Sequence, residues 1–104
     1  MRRAPFLWVG LAVAMAGCSD GGLSPSAERG RATYLSNCTA CHDPDPSQAG
    51  AVGPPIKGSS RELLEAKVLN GAYPPGYTPK RATKVMVPIP TVAPEIGALA
   101  EYLR

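Results

Sequence analysis

Four prolines in residues 43–58 and five in residues 73–90 divide this chain into short pieces. Proline has no amide hydrogen to donate and its ring clashes with the preceding turn, so neither stretch can continue a helix. Neither stretch shows the apolar–polar alternation of a strand, so no substantial sheet is expected. Loops this long are uncommon in a compact domain unless they perform a function. The remaining sequence supports three short helices, at about residues 25–35, 60–70 and 94–104. A chain of 104 residues holds one small domain, and three short helices make a marginal core on their own. Something besides side-chain packing must hold such a fold together.

The helix signals are local. Ser24 suits an N-cap and Pro25 the first helical position, and Gly30 and Tyr34 share a face. Ser59 and Glu62 have the spacing of a capping box. Leu64 and Val68 form an apolar pair, and Gly71 suits the residue just past a helix end. Ile96, Leu99, Tyr102 and Leu103 make an apolar stripe at helical spacing. Gly97 and Ala98 leave room for another backbone to approach.

The N-terminus reads as an address. Arg2 and Arg3 precede an apolar run over residues 6–16, too short to span a bilayer comfortably. Met15-Ala16-Gly17-Cys18 resembles the lipobox of bacterial lipoproteins, which implies cleavage before Cys18 and lipidation of that cysteine. The alternatives are an ordinary cleaved signal that leaves Cys18 free, or an uncleaved anchor. The expected organisation is a signal at 1–17, a flexible tether at 18–24 and one domain at 25–104. Export to the periplasmic face of a membrane follows. Ser19 stands where an Asp would retain the protein at the inner membrane, which favours the outer one.

Cleavage would leave 87 residues and remove two arginines, so Lys plus Arg falls from 11 to 9 against 8 acids. A side-chain balance of +1 with no stacking motif gives a nucleic-acid partner no support.

Cys38-Thr39-Ala40-Cys41-His42 carries the chemistry. C-x-x-C-H is the attachment sequence of c-type haem. Two thiols one turn apart suit the two vinyl groups of one haem, and the following imidazole is placed for the iron. A thioredoxin-like redox pair would want a preceding strand, and none is expected here. A zinc site would need a fourth ligand from Cys18, Asp or Glu. The single His excludes bis-His haem ligation and a HExxH zinc site.

From about residue 25 to residue 104 the chain resembles the small monohaem class I cytochromes c. Gly30 and Tyr34 match that family's N-terminal helix, and Leu99 and Tyr102 match its C-terminal helix. The resemblance implies an all-α, cytochrome c-like fold: three main short helices with long Pro/Gly-rich loops wrapped around one haem c, covalent through Cys38 and Cys41. It implies that the backbone carbonyl beside the Gly53-Pro54 pair takes the His42 ring N–H, and that Met86, the only methionine beyond the signal, is the second axial ligand. Tyr73 and Tyr77 are expected to pack over the haem and reach a propionate. Lys57, Lys80, Arg81 and Lys84 are candidates for docking a redox partner, with an ordinary solvated loop as the alternative.

The expected function is single-electron transfer between a donor and an acceptor protein, without catalysis. The chain would act as a monomer or as a haem subunit of a larger oxidase or dehydrogenase. A ligand-binding or sensor haem with a labile Met86 is the third reading.

Overall fold

The computed structural model describes residues 22–104, with Pro5 and Gly10. The expectations for the signal segment, Cys18 and most of the tether therefore lie outside the described residues. Among the described residues there are helices and no strands, so the all-α expectation holds. No described helix is long and apolar enough to cross a membrane.

Helix α1 covers Pro25–Asn37, two residues longer than the sequence suggests. Ser24 Oγ accepts the Ala27 amide at 3.1 Å, and Pro25 occupies the first turn, where its missing amide hydrogen leaves nothing unsatisfied. The helix continues because the Cys38 amide donates to the Tyr34 carbonyl at 2.9 Å.

The second helix differs from expectation in two ways. Helix α2 is only Arg61–Leu64, followed by a π turn over Glu65–Leu69. Its cap is Ser60, whose Oγ accepts the Leu63 amide at 3.1 Å. Ser59 instead donates to the Ile56 carbonyl at 2.6 Å, so the expected Ser59–Glu62 capping box does not form.

Residues 90–103 also divide. A 3₁₀ turn spans Pro90–Glu95, and helix α3 spans Ile96–Leu103. Pro90 and Pro94 lack the amide hydrogens an α-helix would use there, so α3 starts two residues later than expected.

The core consists of Tyr34, Leu64, Val68, Val92, Ile96, Leu99 and Leu103. Tyr102 is half-buried and meets Tyr34 with ring centroids 5.7 Å apart at 51°. Helix α1 crosses α3 at Gly30. A Cβ there would overlap the Ala98 backbone and meet Tyr102 Cβ at 2.9 Å. Gly97, expected to share this close approach, faces Arg61 on another side. Arg29 closes the same junction with both Glu95 carboxylate oxygens, at 2.8 and 3.0 Å.

Gly30→Ala is therefore expected to push α1 off α3. Overpacking of this kind costs about 1–3 kcal/mol. In a domain of this size that lowers the Tm by roughly 4–24 °C, read by circular dichroism of the holoprotein.

Candidate functional site

The C-x-x-C-H segment begins where α1 ends. The Cys41 and His42 amides both donate to the Cys38 carbonyl, at 3.3 and 2.9 Å, which winds the two thiols and the imidazole into one further turn. Tyr34 braces this turn from within the core: its hydroxyl donates to the Asp43 carbonyl at 2.5 Å. Burial above all pushes the Tyr34 hydroxyl up to about 12 from its ordinary 10.

A raised Tyr pKa stabilises the fold fully below pH 10. That contribution is lost as pH rises from about 10 toward 12, because the unfolded chain ionises first. Tyr34→Phe is expected to remove that alkaline slope. It also costs about 1 kcal/mol at neutral pH, since the Asp43 carbonyl loses its partner. Urea unfolding at pH 7 and pH 11 checks both.

The loop behind His42 is built around it. The Val52 and Gly53 amides donate to the Cys41 carbonyl at 3.1 and 2.9 Å. A Cβ at Gly53 would overlap the His42 ring, so only glycine lets the loop pass this close. His42 Nδ1 lies 3.1 Å from the Pro54 carbonyl oxygen. A carbonyl only accepts, so Nδ1 is the protonated donor and Nε2 is the nitrogen free to bind a metal. A carbonyl contact to His42 is present, and the accepting carbonyl is that of Pro54 itself, not one beside the Gly53-Pro54 pair.

These residues open onto a cavity of about 330 Å³, within the roughly 300–1,000 Å³ typical of small-molecule and cofactor sites. Cys38, Cys41, His42, Pro54 and Met86 all line it, as do Tyr73 and Tyr77. Met86 is half-buried against the core, whereas Val85 and Val87 beside it are exposed.

Tyr73 and Tyr77 stack on each other, centroids 5.4 Å apart and 15° from parallel. Of the four candidate docking residues, Lys80 and Arg81 line the cavity. Lys80 donates to the Pro55 carbonyl at 2.7 Å and ties the two Pro-rich loops together. Lys57 and Lys84 are exposed and do not line the cavity.

Sequence reasoning missed Lys67. It lines the cavity, with its ammonium 4.4 Å above the Tyr73 ring, a cation–π contact. Its spacing from Leu63 and Leu64 puts all three on one helical face and was the available signal.

The alternatives to haem fit less well. Burial pushes the Cys38 thiol up to about 11, whereas a redox-active pair needs a depressed thiol. Among the described residues, no three His, Cys, Asp or Glu side chains are placed to hold a bare metal ion. The residues do fit a haem: two thiols one turn apart, an imidazole with its Nδ1 committed, and a thioether, all around one cavity.

A helical fold built around such a cavity is that of a c-type cytochrome domain. The chain belongs to the family described as cytochrome c oxidase, cbb3-type, subunit III, whose family model matches residues 25–103. That match bears out the expected c-type cytochrome and carries haem c with it as the cofactor class. No curated protein matches the chain.

Proposed function

We propose that this protein is a membrane-anchored monohaem cytochrome c that passes single electrons between redox proteins. One observation carries the reading: Cys38, Cys41, His42 and Met86 line one cavity, with the His42 tautomer set by Pro54. When bound, the haem supplies a one-electron iron couple. The chain supplies attachment, ligation, burial and docking.

Cys38 and Cys41 would hold the haem through one thioether each, the thiol adding its sulfur and its hydrogen across a vinyl group, so that no oxidant is needed. His42 Nε2 and the Met86 thioether would be the two protein ligands of its iron. A neutral thioether favours the ferrous state and raises the potential. With both residues as ligands the iron would have no open position, and that favours electron transfer over catalysis or gas sensing. Lys80 and Arg81 at the cavity rim, with Lys57 and Lys84, offer an acidic redox partner local positive charge, which speeds encounter.

A second reading is a permanent haem subunit of an oxidase, and the family description favours it. Gel filtration of a membrane extract separates the two. A free small haem protein supports the carrier, and co-elution with a large complex supports the subunit. The pyridine haemochrome spectrum of the purified species tests both.

Anchoring through Cys18, with outer-membrane placement favoured by Ser19, rests on the Met15–Cys18 segment. Cys18→Ser is expected to move the protein from the membrane fraction to the soluble periplasmic fraction, with its haem retained. Haem-stained gels of the two fractions check this.

A further inference from the structure

The end of the second helix and the segment carrying Met86 are joined by an irregularity that the ligand set alone does not require. A helix closed by a glycine just past its end ordinarily uses two bonds. With Gly71 in that place, Ala72 would donate to Lys67 and Gly71 to Val68. Here both bonds fall one residue earlier. Ala72 donates to the Ala66 carbonyl and Gly71 to the Lys67 carbonyl, each at 3.0 Å. The Asn70 side chain takes the Glu65 carbonyl at 3.1 Å.

The widened π turn over Glu65–Leu69 produces this shift and leaves the Val68 carbonyl without a helical partner. The Ile89 amide fills it at 2.6 Å. One residue earlier, Pro88 lies against Gly71: a Cβ at Gly71 would meet Pro88 Cγ at 3.0 Å, and Gly71 has φ +65°. Two independent contacts therefore fix the chain two and three residues beyond Met86 onto the end of the helix. Val85 and Val87, on either side of Met86, are exposed and supply little packing to hold it.

We infer that the π turn, through the Val68 carbonyl and Gly71, is the positioning device that holds the Met86 thioether in the cavity, where it would bind the haem iron. The inference rests on Met86 being an axial ligand. Val68 and Gly71 are positioning residues, acting through Ile89 and Pro88.

The test uses the ferric holoprotein with three readouts: the far-red sulfur-to-iron charge-transfer band, the equilibrium binding of added imidazole, and haem content. Gly71→Ala and Pro88→Ala are compared with Gly58→Ala. Gly58 also has positive φ (+87°), but nothing lies within 4 Å of its Cβ position, so that variant reports backbone strain alone.

Gly71→Ala is expected to weaken the band and to bind imidazole about tenfold more tightly, the equivalent of about one lost hydrogen bond. Pro88→Ala is expected to act in the same direction. Gly58→Ala should lower the Tm with band and imidazole affinity unchanged. The Ile89 amide should also be protected from hydrogen exchange in the wild type, a readout that needs no variant to fold.

An unprotected Ile89 amide, unchanged imidazole binding in both Gly71→Ala and Pro88→Ala, or an equal effect in Gly58→Ala overturns the inference. Met86→Ala separates its failure from that of the ligand assignment. If Met86→Ala abolishes the band while the clamp variants leave it intact, only the clamp is wrong. If Met86→Ala leaves the band unchanged, the assignment and the clamp fall together.

Discussion

Met86→Ala is expected to lower the reduction potential, abolish the ferric far-red band and open the ferrous haem to carbon monoxide, all without releasing the haem. The arrangement of the cavity separates these effects. Met86 reaches the site from residues 73–90, whereas both cysteines and His42 come from the turn after α1. Removing the thioether leaves that turn, its bond to Tyr34 and the His42 contact with Pro54 in place.

The potential should fall because a thioether favours ferrous iron more than the water or hydroxide that would replace it. A drop on the order of 0.1–0.2 V is expected, a modest part of the roughly 0.8 V over which axial ligands act. Potentiometry and carbon monoxide difference spectra check both. A wild-type protein that already binds carbon monoxide rapidly and completely would support the sensor reading instead.

The second large effect concerns the fold. The doubly substituted chain, Cys38→Ser with Cys41→Ser, is expected to carry no covalent haem and to lose cooperative thermal unfolding. The core contains seven buried side chains, while the cavity beside it measures about 330 Å³. The lining of that cavity is mostly apolar and, without haem, it faces water. A small domain has only about 5–15 kcal/mol of stability in total. The haem is thus expected to act as a structural member of the fold, as structural metals do in other small domains. Retained cooperative unfolding near the wild-type Tm would contradict this.

Much of the fold was legible where a residue acts on its near neighbours. Ser24 and Pro25 start α1, Gly71 ends the second helix, and Ile96, Leu99 and Leu103 form the buried stripe of α3. The site was legible because C-x-x-C-H is itself local, and because the resemblance pointed to Pro54 and Met86.

The rest depended on distant partners. The π turn leaves open the Val68 carbonyl that Ile89 fills, and Ile89 stands twenty-one residues later. Ser59 and Ser60 are equally good caps in isolation, and a bond from Ser59 to Ile56 decides between them. Gly97 and Ala98 both offered room for another backbone, and the direction of the α1–α3 crossing brings Gly30 to Ala98. Lys67 was missed because the Tyr73 ring it covers comes from a distant loop.

Cys38 and Cys41 are expected to hold one haem that the fold is built around. The intact mass of the denatured protein, purified from cells that attach haem to exported proteins, tests it most directly. The expected result is the chain mass plus one haem, retained through denaturation and absent from the doubly substituted chain. The chain mass alone, with haem lost on denaturation or never present, would contradict it.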